Sequence, residues 1–254
     1  MSEKTLNLSL SLPLICTRGI IVFPGQEMII DVGRTKSMNA VNEAQKKSDS
    51  QIILVSQRVM QVEDPQAADL YTCGTLCHIR HVRRMDGYVR VKFKGLQRVR
   101  ITAINSTDSL MTCSAEVMLD EQQDTKEEMA LVRSIANHLQ DMEGLTSNMP
   151  KELITELAKG VSAVQLCDQI AQMFPLSLEQ RQKMLETVGI NDRLMFVLET
   201  LESEKELSAI ENKINEKVKS RIEESQKEYY LREKMRAIKE ELGDVPDSDK
   251  DVDA

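Results

Sequence analysis

Between Asn191 and Leu242 the chain contains neither proline nor glycine. Proline would remove a helical N–H and clash with the preceding turn, and glycine would loosen the helix. A run of about 50 residues free of both predicts one helix roughly 75 Å long. Leu207, Ile210, Ile214, Val218 and Ile222 form a narrow apolar stripe along it. Leu207, Val218 and Tyr229 recur every eleven residues, which implies a straight or slightly right-handed stripe. Glu223 with Lys227, and Glu228 with Arg232, are favourable pairs one turn apart. One small domain cannot cover so long and charged a helix, so it must project, pair or lead onward. The five stripe residues are therefore candidates for helix pairing. Gly243 can cap the helix, and residues 244–254 read as an acidic, disordered linker.

The segment before this helix also has a helical period. Thr125 and Glu128 make a capping box, and Met129, Val132, Ile135, Ala136, Leu139 and Met142 share one face after it. Pro150 suits the first turn of a short helix that Gly160 ends, and another runs from about Ser162 to Met173. Ser177 and Gln180 form a second capping box, with Gly189 closing that helix.

The first half has a period of two. Leu6, Leu8, Leu10, Leu12 and Leu14 alternate with polar residues or Pro13. Val22-Phe23-Pro24-Gly25 is an apolar turn, and Met28-Ile29-Ile30 resumes a strand. Ser37 is expected to cap a short helix over 38–47, and 51–55 is a β-branched strand. Asp86-Gly87 suits a type I′ hairpin turn between 78–85 and 88–93. Val89, Val91 and Phe93 then face one way, and Arg90, Lys92 and Lys94 the other. Gly95 is expected to break this strand, with two more at 98–104 and 111–119. The chain reads as α+β: a curved β-rich lobe (1–119), a helical bundle (120–190), the long helix (191–243) and the linker (244–254).

Charge separates the halves. Residues 1–118 carry 15 Lys and Arg against 11 Asp and Glu, and residues 119–254 carry 18 against 30. Residues 80–100 hold eight cations against Asp86 alone, a face that could meet phosphates or could simply be solvated. Arg90, Lys92 and Lys94 are the candidates for nucleic-acid contact. Only Tyr88 and Phe93 are aromatic there, so a base-stacking platform is poorly supplied. Cys73, Cys77, His78 and His81 match no common zinc spacing, and a strand would hold the two thiols about 13 Å apart. No metal site is expected. Five irregularly placed cysteines, no export signal and no apolar run long enough for a membrane span imply free thiols in a reducing cytoplasm. There is no phosphate-binding G-x-x-x-x-G-K-[ST] loop, no G-x-S-x-G and no H-E-x-x-H, so no catalytic residues are assigned.

Several segments, in order, resemble the Lon proteases. They are Leu12-Pro13-Leu14, Val22-Phe23-Pro24-Gly25, Gly33-Arg34 with Lys36-Ser37, and Gly95-Leu96-Gln97-Arg98 with Arg100-Ile101. The most specific runs from Ser225 through Tyr229-Tyr230-Leu231-Arg232 to Met235, and on to Gly243. The basic and Cys/His clusters at 73–84 depart from the pattern.

The resemblance implies a pseudo-barrel, PUA-like first lobe and a cytoplasmic hexamer. It also implies that ATP, magnesium and a Ser-Lys protease act downstream of this chain. The chain is then a non-catalytic region that binds unfolded or damaged proteins and self-associates, with no membrane partner. Phe23, Pro24 and Met85 are the candidate substrate contacts, Met85 because it sits beside a hairpin turn. Nucleic-acid binding through Arg90, Lys92 and Lys94 is the alternative.

Overall fold

A computed structural model of the chain describes residues 10–121, 125–141, 162–174 and 176–241. The expected helix between Pro150 and Gly160, the strand positions Leu6 and Leu8, and the acidic tail lie outside them. The chain divides into two compact units, 1–201 and 202–254.

The first unit opens with strands β1 (Leu10–Thr17) and β2 (Glu27–Val32), helix α1 (Thr35–Lys47) and β3 (Gln51–Ser56). Then come β4 (Cys73–Arg84), β5 (Val89–Ser106) and β6 (Met111–Met118). The sheet order is β2-β5-β4-β3-β1-β6, with a further β5–β6 pairing. That pairing closes β5, β4, β3, β1 and β6 into a ring. β5 can serve both neighbours because it is 18 residues long. Val89–Lys94 pair with β2, and Arg98–Ser106 pair with β6. The β1–β3 pair is parallel and the others are antiparallel.

Alternation explains the two cores of this lobe. Leu12, Leu14 and Cys16 of β1 join Ile53, Leu76, Val99 and Cys113 from the other ring strands. Ile15 faces the opposite way, into a cluster with Ile52, Ile79, Val91 and Phe93 over Val41 and Ala44 of α1. Strand β1 is thus buried on both faces from Leu12 onward, as its apolar run requires.

Helices α2 (Lys126–Asp141), α3 (Ala163–Met173) and α4 (Leu178–Glu186) follow, and then α5 (Ile190–Glu241), 52 residues long. Ser162 with Gln165 and Ser177 with Gln180 form capping boxes. Ile135, Leu139, Leu166, Ile170, Met184, Leu194 and Val197 make a third core. Two residues of the β-lobe, Ile21 and Phe23, belong to that same core.

Three local expectations are corrected. Helix α1 starts at Thr35, so Ser37 lies inside its first turn and is not its cap. Of the Asp86-Gly87 pair only Gly87 has positive φ (78°), so the turn is not type I′. Gly95 does not end a strand. A Cβ there would stand 2.1 Å from the Phe23 carbonyl oxygen, so glycine admits the 22–26 turn against an unbroken β5.

Candidate functional site

The 22–26 turn is held from both sides. Gly25 N–H donates to Gly95 O at 2.9 Å, and Gly95 N–H donates to Gln26 O at 2.8 Å. Phe23 N–H donates to the Gln26 side chain at 2.9 Å. Phe23 points inward, 1% exposed, among the helices of the third core. Its ring is a peg between lobe and bundle and has no surface to offer a ligand, which corrects its assignment as a contact. Pro24 is half-buried and does reach the surface. With Gly25 it lines a groove of about 500 Å³, whose other wall is Val164, Gln165, Gln169, Gln172 and Met173 of α3.

Met85 sits at the tip of the β4–β5 hairpin, where its N–H donates to Tyr88 O, and is 38% exposed. Ile29 is more exposed, at 62%, and is not among the contacts expected from the sequence. The signal was present: Met28, Ile30 and Val32 turn inward on β2, which leaves Ile29 on the outer face.

The basic face is weaker than its composition. Arg90 makes a two-point ion pair with Asp31 (2.7 and 2.8 Å), and Lys92 pairs with Glu27 at 2.7 Å. Register explains this, because β2 lies beside β5 with Asp31 opposite Arg90. Lys92 holds the Glu27 carboxyl below its ordinary range, and Arg90 does the same for Asp31. Arg98 points inward and is buried. Lys94 remains without an ion pair among the described residues.

Arg98 belongs to a buried charge cluster. It pairs with Asp120 at 3.3 Å and closely with Asp168 of α3. Arg193 of α5, 0% exposed, pairs closely with the same Asp120 and lies 3.7 Å from Asp168. Two arginines and two aspartates thus join β5, the segment just after β6, α3 and α5. Burial pushes the Asp168 carboxyl above its ordinary value, against the pull of Arg98 and Arg193. Gln182 adds a polar stitch, donating from α4 to Cys73 O of β4 at 3.0 Å.

All five cysteines are free and buried. Burial raises the Cys16 thiol to about 11 and those of Cys113 and Cys167 to about 12, so none is a nucleophile at neutral pH. The Cys73 sulfur faces Met118 sulfur at 3.7 Å, and Cys77 donates to Thr75 O. Among the described residues no three His, Cys, Asp or Glu side chains are grouped to hold a metal. No helix among them is long and apolar enough to cross a membrane.

Within the second unit the helix is exposed on every side from position 209 to 241. Leu207, Ile210, Ile214, Val218 and Ile222 are each about half exposed, and Tyr229, Tyr230, Leu231, Met235 and Ile238 are exposed as well. Among the described residues of that unit the stripe has no partner.

The fold now has a counterpart. A profile described as the ATP-dependent protease La (LON) substrate-binding domain matches residues 11–203. The chain belongs to the Lon family. The Lon protease of Brevibacillus choshinensis is 35% identical over 243 residues, covering 95% of this chain and 31% of that protein. The Lon protease of Escherichia coli K12 is 34% identical over 240 residues, 94% of this chain and 30% of that one. The chain therefore spans about a third of the length of these Lon relatives. Among solved structures, the N-terminal domain of a Mycobacterium avium complex Lon protease matches with a TM-score of 0.61 at 22% identity, covering 76% of this chain and 98% of that one. A Lon N-terminal domain protein from Xanthomonas campestris gives 0.55 at 19% identity, covering 74% and 97%. At such identities the two Lon structures speak for the fold, a closed mixed sheet followed by helices.

Proposed function

We propose that this chain is the substrate-recognition and oligomerisation region of a Lon-type ATP-dependent serine endopeptidase and is itself non-catalytic. The match to the Lon substrate-binding domain over residues 11–203 carries this reading. Damaged proteins expose apolar segments that native ones hide. The groove beside Pro24, the exposed Met85 and the exposed Ile29 offer small apolar contacts for such segments. Each contact alone is weak. Several presented together by a homo-oligomer, a hexamer in the full-length protein, hold a client by avidity. The apolar stripe from Leu207 to Ile222 supplies the pairing surface.

ATP and magnesium serve a motor elsewhere in the full-length protein, and a Ser-Lys pair elsewhere does the cutting, in the cytoplasm. The 254 residues contain no phosphate-binding loop, so no ATP-dependent step is assigned to them. The nucleic-acid reading is the weaker one, because Asp31 and Glu27 already occupy Arg90 and Lys92. Residual binding through that face would fall steeply with salt and vanish on replacing Arg90, Lys92 and Lys94.

The test is photo-crosslinking of the chain by reduced, unfolded casein that carries the photoreactive group, with labelling mapped at positions 24 and 85 and along the rest of the chain. Labelling at both positions is expected. Labelling confined to residues 244–254 would overturn the contact assignment. The purified chain should hydrolyse neither ATP nor peptide.

A further inference from the structure

Helix α1 begins without the usual side-chain cap. Its N-cap residue, Arg34, makes no capping hydrogen bond, and the first turn holds no acidic residue. The first intrahelical donor is Met38 N–H, bonded to Arg34 O at 2.9 Å. The amides of Thr35, Lys36 and Ser37 come before it and have no acceptor within the helix. The positive end of the helix dipole lies at the same place.

A cavity of about 330 Å³ adjoins this end, lined by Arg18, Arg34 and Ser37 together with Ile20, Ile30 and Val32. Ser37 is the telling residue. It is only 7% exposed, it borders the cavity, and its hydroxyl has no hydrogen-bond partner among the described residues. Its hydroxyl is free to donate to, or accept from, whatever enters the cavity.

The charge is also uncompensated. Among the described residues neither Arg18 nor Arg34 forms an ion pair. Neutral acceptors fix the Arg34 guanidinium: Gln57 Oε1 at 2.7 Å, and the carbonyls of Cys16 and Val62, each at 3.4 Å. Burial, and then the like charge of Arg18, lowers the Arg34 pKa from its ordinary value. Of the nearby carboxylates, Glu63 acts on Arg34 without an ion pair, and two others are engaged. Asp31, which also borders the cavity, is held by Arg90, and Asp64 is held by Lys36.

We infer that this cavity binds the C-terminal carboxylate of a polypeptide, with the last side chain against Ile20, Ile30 and Val32. The Ser37 hydroxyl, Arg18 and Arg34 border the cavity and would receive the carboxylate. The apolar lining distinguishes a peptide end from a free inorganic anion, which would leave those side chains uncovered. The inference rests on the reading that the chain receives polypeptides, and it names one chemical feature by which it does so.

The experiment uses the whole chain and a fluorescent peptide ending in leucine, as the free acid and as the C-terminal amide. Anisotropy should show the acid binding at least about tenfold more tightly, as a lost charge-assisted set of hydrogen bonds implies. Ser37→Asp places a carboxylate in the first turn and should remove the preference without lowering the melting temperature. Arg18→Gln, at an exposed position, should weaken the acid and leave the amide unchanged. Equal binding of acid and amide overturns the inference. So does millimolar binding of inorganic phosphate when neither peptide form binds. If casein is still captured while acid and amide bind alike, this site alone is refuted. If casein is not captured at all, the parent reading falls first.

Discussion

Replacing Arg98 by methionine isolates the buried charge cluster. Methionine keeps most of the apolar volume of the arginine stem but carries no charge. Asp168, almost wholly buried, then keeps only Arg193, whose nearest guanidinium nitrogen stands at 3.7 Å. Removing one partner of a buried pair costs about 3–5 kcal/mol, because the remaining charge stays desolvated. For a unit of this size the urea dependence is about 2.5 kcal/mol per molar, so the midpoint should fall by roughly 1.2–2 M. The chain has no tryptophan, so far-UV circular dichroism is the suitable probe. The double replacement Arg98→Met with Asp168→Leu should recover much of that loss, since it leaves no unpaired charge behind. The Nε of Arg98 has no hydrogen-bond partner among the described residues, so its replacement also removes a buried unsatisfied donor. The reasoning fails if Arg98→Met shifts the midpoint by less than about 0.4 M, or if the two losses simply add.

Gly95→Ala sets a methyl 2.1 Å from the Phe23 carbonyl oxygen, which is backbone and cannot rotate away. A loss of about 2–3 kcal/mol and a melting temperature lower by roughly 5–10 °C are expected, read by thermal circular dichroism. The thiols define an alkaline limit. Burial raises their folded pKa above the ordinary value of 9.0, so the unfolded chain ionises first. The stability they contribute is complete below pH 9 and is lost as pH rises toward about 11 to 12. Urea midpoints at pH 8 and 10.5 should diverge less in a Cys16→Ala, Cys113→Ala chain than in the parent. Glutamine at Leu207, Ile210 and Ile214 should reduce self-association in sedimentation velocity while leaving the melting of residues 1–201 unchanged.

Period and punctuation were enough to read most of the fold. The alternation at Val89, Val91 and Phe93 placed the β5 core face, and the Ser177/Gln180 box placed the start of α4. What escaped the sequence depends on partners far along the chain. Gly95 looks like a strand breaker until Phe23, seventy-two residues earlier, is seen lying on it. The patch at 80–100 looks strongly basic because Asp31 and Glu27 come from a distant strand, and because Arg98 turns inward to Asp168. Phe23 looks like a contact because it lies in an apolar turn, while its ring serves the helices of the bundle. Ile29 follows the opposite logic, an apolar residue left outside by strict alternation.

The β1–β6 pairing sets an order on synthesis. Leu10 lies opposite Ala115, so the ring cannot close until more than a hundred residues have left the ribosome. Contacts so distant in sequence make for slow folding. Phe23 and Arg98 wait longer still, since Asp168 and Arg193 emerge later. A nascent chain stalled before residue 168 would therefore show an aromatic ring to the solvent and leave Arg98 with Asp120 alone, a state that invites chaperone binding until the bundle arrives.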